Sequence, residues 1–443
     1  MLAEAKSKEG FYGWYALAGT MLVYFIGCGT LFYSFSVFKP DMRADLGWSD
    51  LGANLLVALF VLIHGLPGPL IGASVAKFGP RLNMIGGNLV AAIGLAGMSQ
   101  VSQLWEACLF YGVLAGLGNG FGLYVACTTV GNNWFVQRKG TALGLLLVAG
   151  GLGSFVFAPT IGFLIEHFGW QSSWFILSII QVIGAVVIGA GMLVRNRPED
   201  MGQVPDGRSA DIAEASTAET QPKLKVYQTP VEWAPQQAMR QISTWLILIF
   251  GTSNMLAVMM LTTNLVEYLK SDIGFSGSEA SLALGLCGGL SIVGRLGFGR
   301  LSSIIEARYL AAFCMAAQVV ALFIIRDISS SSMVPVLIYV VLFGIGYGGL
   351  VVALPTILGR YYGRIHYAQI LGRIMPFTAA AGAGGPLLAG YIHDSTGTYQ
   401  LVFTVLIIAS LIGLVSALMA RPPKIPASTS SNLQGVDSTT RVD

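Results

Sequence analysis

Twelve apolar runs, each close to or beyond the roughly 20 residues a helix needs to cross the hydrocarbon core of a bilayer, follow one another along the chain. They lie near 12–38, 51–76, 83–101, 104–130, 140–165, 171–194, 243–269, 278–303, 309–325, 333–358, 367–391 and 397–420. In lipid an unpaired backbone N–H or C=O is prohibitively costly, so runs of this length must be helices rather than strands of an open sheet. The expected fold is therefore an all-α integral membrane protein with twelve transmembrane helices. The first run is longer than a signal-peptide core and no A-x-A-like site follows it, so it is expected to remain as a span. Composition agrees: 54% of residues are hydrophobic and 11% charged, where a soluble domain carries roughly 25% charge. The net charge of +3 is too small and scattered for a phosphate-binding surface, and no nucleic-acid partner is expected.

Basic residues orient the spans. With the N-terminus placed in the cytoplasm, 19 of the 25 Lys and Arg fall in inward loops and termini, as the positive-inside rule requires. Lys39, Arg43, Lys270 and Arg326 fall outside, while Arg295 and Arg373 lie inside apolar runs. An even number of spans then puts both termini in the cytoplasm. The one long polar break, 195–241, is rich in Pro, Ser, Thr, Gln and acidic residues and reads as a cytoplasmic linker too poor in large apolar residues to fold alone. It divides the chain into halves of six helices, 1–194 and 242–420, with 421–443 as a disordered tail.

The halves repeat each other. Gly72 to Arg81 (GASVAKFGPR) aligns with Gly299 to Arg308 (GRLSSIIEAR) at a shift of 227. Gly116, Gly118 and Gly120 align with Gly344, Gly346 and Gly348 at 228, and Trp134 and Pro159 with Tyr361 and Pro386 at 227. Two related bundles holding a solute between them near the midplane are the plan of many secondary transporters.

Three tracts carry a resemblance. GASVAKFGPR is similar to the loop signature of the major facilitator superfamily, although Ala76 stands where an Asp is usual. NNWFVQRKGTALGLLLVAGGLGS (Asn132 to Ser154) resembles the helix 4–5 tract of monocarboxylate transporters and their oxalate/formate antiporter relatives. RPEDMGQVPDG (Arg197 to Gly207) and GPLLAGYIHDSTGTYQLVF (Gly385 to Phe403) agree with it. The resemblance implies a multi-pass plasma (inner) membrane carrier of a small monocarboxylate, proton symport by default, no cofactor, and no obligate protein partner.

An Arg within a membrane helix costs about 2.5–3.5 kcal/mol on insertion scales and is a functional position by default. Arg295, on the same helical face as Gly288, Ser291, Phe298 and Gly299, is that residue. Its planar fork can grip a carboxylate through two hydrogen bonds, and the resemblance assigns the helix-8 Arg this role. Snorkelling or pairing with a structural acid is the rival account of Arg295. Tyr124, Tyr347, Phe32 and Tyr33 are candidate cavity aromatics, and Ser291 and Asn264 candidate polar contacts to the substrate. The resemblance places an Asp four residues before the Arg and a Lys near Phe32 in many relatives; here these are Ser291 and Phe32. Proton coupling is left to His64 or Glu267, with uniport and anion exchange open. Gly72, Gly79, Arg81, Gly299 and Arg308 are the expected gating residues, the loop around Gly79 and Arg81 latching the cytoplasmic side. Arg373 is close enough to the inner headgroups to snorkel, and the oxalate branch's second cation aligns near neutral Thr378. A non-transporting anion sensor is the alternative of another class. The five Cys and four His show no metal-ligand spacing, and no enzyme activity is expected.

Overall fold

The computed structural model describes residues 11–207 and 226–424, apart from 33, 49, 276 and 329–331. Helix dominates throughout. In the first half α1 (Gly13–Gly27) continues through a π-helical stretch, Cys28–Phe32, toward α2 (Phe35–Leu46). The helices α3 (Asp50–Gly65) and α4 (Gly68–Met98) meet at a bend of 47°, where Pro67 offers no N–H to continue the ladder. Then come α5 (Leu104–Ala107), a π stretch Cys108–Ala115, α6 (Gly116–Gly122) and α7 (Tyr124–Trp134). Between the last two, Leu123 leaves helical geometry with φ −116 and ψ −97. The long α8 (Lys139–Ile180) runs into a final π stretch, Gln181–Leu193.

Two glycines interrupt what is otherwise unbroken helix. Gly79 in α4 has φ 81 and Gly169 in α8 has φ 78, a left-handed region that a residue with a Cβ enters at a cost. At 55 residues, Lys139–Leu193 is far longer than one crossing, and Gly169 is where it breaks.

After the short α9 (Pro235–Met239), the second half comprises α10 (Ile242–Ser271), α11 (Gly277–Leu301), α12 (Ala307–Arg326), α13 (Met333–Tyr362), α14 (Tyr367–Thr396) and α15 (Gln400–Met419). Helix occupies each of the twelve expected ranges. Among the described residues eight helices, or nine with the bent pair as one span, are long and apolar enough to cross by themselves. Twelve crossings require dividing α4 at Gly79 and α8 at Gly169 and counting the less apolar α14.

The halves touch on the side where the linker lies. There α4 packs on α14 with Gly68 against Gly372, and α8 packs on α11 with Gly144 against Gly299. One apolar core joins the first half to the linker-side part of the second, including Phe298, Ile357, Tyr361 and Leu371. The far-side part of the second half, around Tyr268, Phe343 and Phe403, forms a separate core.

A buried polar chain stitches the first half internally. The Thr30 hydroxyl bonds Gln181 Oε1 at 2.7 Å, Gln181 Nε2 donates to Asn88 Oδ1 at 2.5 Å, and Asn88 Nδ2 donates to Met84 O at 2.6 Å. Thr30, Asn88 and Gln181 are at most 1% exposed. Gln181→Leu would leave Asn88 Oδ1 without its donor, at about 1–3 kcal/mol for a buried polar group left unsatisfied, while the Thr30 hydroxyl keeps Ile26 O at 2.9 Å. A fall of several degrees in the thermal midpoint of the detergent-solubilised protein is expected; an unchanged midpoint would show the chain of bonds to be idle.

Candidate functional site

A cavity with an open volume of about 1180 Å³, mouth included, lies between the halves. Both halves line it. The first contributes Tyr24, Cys28 and Phe32 from α1 and its π extension, Val61 and His64 from α3, Asn119, Leu123 and Tyr124 from the α6–α7 break, and Gly150 from α8. The second adds Asn254, Met255 and Met259 from α10, Arg295 from α11, Tyr347 and Leu350 from α13, and Ile374, Met375 and Thr378 from α14.

Arg295 is 5% exposed and stands where the halves meet. Its Nη1 donates to Leu147 O of α8 at 2.7 Å, and Nη2 reaches the Tyr347 hydroxyl at 3.5 Å. The guanidinium carbon lies 5.7 Å from the centre of the Tyr347 ring, within cation–π range. A Cβ at Gly151 would stand 3.0 Å from Nη1, so the lack of a side chain on α8 is what admits the group. The cation therefore neither snorkels to a membrane surface nor faces lipid; it forms a wall of the cavity.

Five of the expected residues line this cavity together: Arg295, Tyr124, Tyr347, Phe32 and His64. Phe32 sits edge-on to His64, with ring centres 6.5 Å apart. Ser291 does not line it. Its hydroxyl donates to Gly288 O at 2.6 Å and its backbone is packed against Gly348 of α13, because the small residues of α11 on that side serve helix–helix contact. Asn264 is also elsewhere, with Nδ2 donating to Met260 O at 2.8 Å. Tyr33 and the Glu267 side chain lie outside the described residues. Arg373 is half-buried and off the cavity, whereas Thr378 lines it.

Two cavity residues escaped the sequence analysis. Asn119 is 1% exposed with neither amide atom partnered among the described residues, and Asn254 is 5% exposed with Oδ1 in the same condition. His64 Nδ1 is likewise buried without a partner among them. Unmet polar groups of this kind each cost about 1–3 kcal/mol, a cost that a polar ligand in the cavity relieves. Their signal was present as isolated amides in apolar helices, but a neutral Asn stands out less from hydropathy than an Arg does.

The gating residues divide. Gly72 and Gly299 sit at the contact between halves, against Ala368 and Gly144. Arg81, expected to latch the linker side, makes no hydrogen bond to the second half among the described residues: it bonds Asn196 through its backbone N at 2.9 Å, Ala190 O at 3.2 Å, and Gly191 O. The turn at Gly79 sends it back to the C-terminal carbonyls of the Gln181–Leu193 stretch, which lack helical partners and carry the negative end of the helix dipole. Arg308 covers the Tyr309 ring at 4.5 Å and donates to that hydroxyl at 2.8 Å. Besides Arg295 to Leu147 O and Thr141 Oγ1 to Gly299 O at 3.3 Å, the cross-half polar contacts include Lys139, whose Nζ donates to Gly359 O at 2.8 Å, and Arg364, whose Nη1 donates to Asn133 O at 3.3 Å. Among the described residues no three His, Cys, Asp or Glu side chains gather as metal ligands would.

The sequence matches the Major Facilitator Superfamily profile over residues 20–325 and 247–440, and the chain belongs to that superfamily. Its curated relatives are transporters and not enzymes. It is 24% identical to monocarboxylate transporter 13 of Bos taurus, covering 91% of this chain and 88% of that one. It is 28% identical to monocarboxylate transporter 12 of Xenopus laevis, covering 81% and 79%. It is 26% identical to monocarboxylate transporter 1 of Rattus norvegicus, covering 91% and 84%. Among solved structures, the fold is similar to FucP in the outward conformation, with a TM-score of 0.67 at 13% identity over 92% of this chain and 99% of that one. The human organic anion transporter MFSD10 (TETRAN) gives a TM-score of 0.68 at 13% identity, covering 91% and 99%. The protein is thus a multi-pass membrane transporter.

Proposed function

We propose that the chain carries a small organic monocarboxylate across the plasma (inner) membrane by alternating access, both termini being cytoplasmic. One observation carries this reading: Arg295, buried at 5% exposure, forms a cavity wall at the junction of the two halves. In this assignment Arg295 clamps the carboxylate with its planar fork, Tyr347 steadies the guanidinium, and Phe32 and Tyr124 shape the opposite wall. Contact between the halves on the linker side, with separate cores on the far side, corresponds to an outward-facing state. The names of the relatives support the substrate class. Among the described residues the cavity lining holds one cation, Arg295, which suits one carboxylate better than the two that an oxalate-type exchanger would hold, since the cavity residue at the second position is neutral Thr378.

Proton symport is the family default. With Ser291 in place of an acid, the coupling role falls to His64, which lines the cavity with Nδ1 unpartnered among the described residues. In proteoliposomes, an inwardly directed proton gradient is expected to raise uptake of labelled monocarboxylate several-fold. His64→Gln is expected to abolish that stimulation while leaving counterflow. Equal flux with and without the gradient would assign uniport or exchange instead.

A further inference from the structure

The described ends of the linker contact the two halves in matching ways. Asp206 adopts a left-handed backbone, φ 60 and ψ 8, which few residues with a Cβ enter and Asp enters more readily than most. Its carboxylate accepts the backbone N–H of Val136 at 3.0 Å and of Gln137 at 2.8 Å, directly before α8 begins at Lys139. At the other end of the linker, Glu232 accepts the backbone N–H of Arg364 at 3.1 Å and of Ile365 at 2.9 Å, directly before α14 begins at Tyr367. Positions 364 and 365 are 136 and 137 shifted by 228, the shift that relates Gly116 to Gly344. The two linker acids therefore grip the same pair of N–H groups in the two repeats.

The loops they grip carry two of the cations that join the halves, the two on the linker side. Lys139, 1% exposed, donates to Gly359 O in the last turn of α13. Arg364 donates to Asn133 O in the last turn of α7 and pairs with Glu199 of the linker. Each half thus extends a cation to the C-terminal carbonyls of a helix in the other half, where carbonyls lack helical partners and the dipole is negative. A passive tether would need none of these bonds. Carboxylate-to-N–H bonds are roughly twice as strong as neutral ones, and each acid fixes the backbone within three residues of the cation it serves.

We propose that the linker is part of the gate: Asp206 and Glu232 are positioning residues that hold the two loops from which Lys139 and Arg364 clasp the opposite half. The proposal rests on the alternating-access reading above. Opening the linker side breaks both cation contacts; closing it requires both loops in register. Removing either acid loosens a loop, misplaces its cation and shifts the population toward the linker-side-open state.

The test is a distance distribution from double electron–electron resonance between spin labels at Lys77, exposed just before the Gly79 break in α4, and Ile304, its exposed equivalent in the second half at a shift of 227. Asp206→Ala and Glu232→Ala are each expected to raise the long-distance population roughly threefold or more, the change that losing the net worth of one or two hydrogen bonds brings. Asp206→Asn, which keeps an accepting oxygen but loses the charge, is expected to shift the distribution less than Asp206→Ala does. The Lys139→Ala, Arg364→Ala double variant should shift the distribution at least as far. Wild-type distances in both alanine variants of the acids would overturn the positioning role, and wild-type distances in the cation double variant would overturn the clasp. The acids are tested separately so that a folding failure in one, seen as loss of a monodisperse peak, leaves the other. If the substrate reading fails, wild-type uptake of labelled monocarboxylate is absent while the distance shifts persist, so the two failures separate.

Discussion

Replacing Arg295 with Lys is expected to lower saturable monocarboxylate uptake by about 100-fold while the amount of folded protein in the membrane stays near wild type. Lys keeps the charge, so the cost of placing a cation at that depth changes little. It loses the fork. An ammonium cannot hold Leu147 O at 2.7 Å and a carboxylate in two parallel bonds at once, and charge-assisted hydrogen bonds are worth about 1.5–3 kcal/mol each. At 1.4 kcal/mol per factor of ten, the loss of one to two such bonds gives the stated effect. Reconstituted uptake normalised to protein content measures it; transport by the Lys variant at the wild-type rate would remove Arg295 from the binding role.

A second large loss is expected from Gly144→Val. A Cβ there would lie 2.9 Å from Arg295 O and 3.1 Å from Gly299 Cα. Both are backbone atoms of α11, so neither can swing aside, and the halves must part where they now touch. Overpacking of this kind costs about 1–3 kcal/mol, enough to change the ratio of closed to open linker side by about 5- to 150-fold. Uptake should fall toward background and the Lys77–Ile304 distance should lengthen. Gly162→Ala is the control, because a Cβ at Gly162 meets nothing within 4 Å and Ala favours helix over Gly. Normal transport by Gly144→Val would mean that this contact does not take part in the cycle.

Hydropathy carried most of the fold, because in lipid the pattern of apolar length leaves one kind of secondary structure available. It said less about breaks. The bend at Leu66–Pro67, the departure at Leu123 and the π stretches lie inside uniformly apolar sequence, where local backbone geometry leaves little trace in composition. Arg295 was legible for the same reason that the fold was: in a chain with 11% charge, a cation within an apolar run has few ordinary explanations. Asn119 and Asn254 were not, since a neutral amide barely dents an apolar window. Ser291 was placed on the face of Arg295 by helical spacing, yet spacing does not say which neighbouring helix claims a residue, and α13 claims this one. What a loop cation binds depends on which carbonyl lies opposite it. For Arg81 that carbonyl belongs to its own half; for Lys139 and Arg364 it belongs to the other, and sequence alone shows three basic residues in loops.

The central claim is that a carboxylate bound at Arg295 is moved from one side of the membrane to the other. Counterflow in proteoliposomes preloaded with unlabelled short monocarboxylate, such as lactate, pyruvate or formate, tests it most directly. Transient accumulation of the labelled acid above equilibrium, saturable and lost in Arg295→Lys, is the predicted result. Saturable binding of the same acid with neither accumulation nor counterflow would contradict it and make the protein a receptor for the anion instead of its carrier.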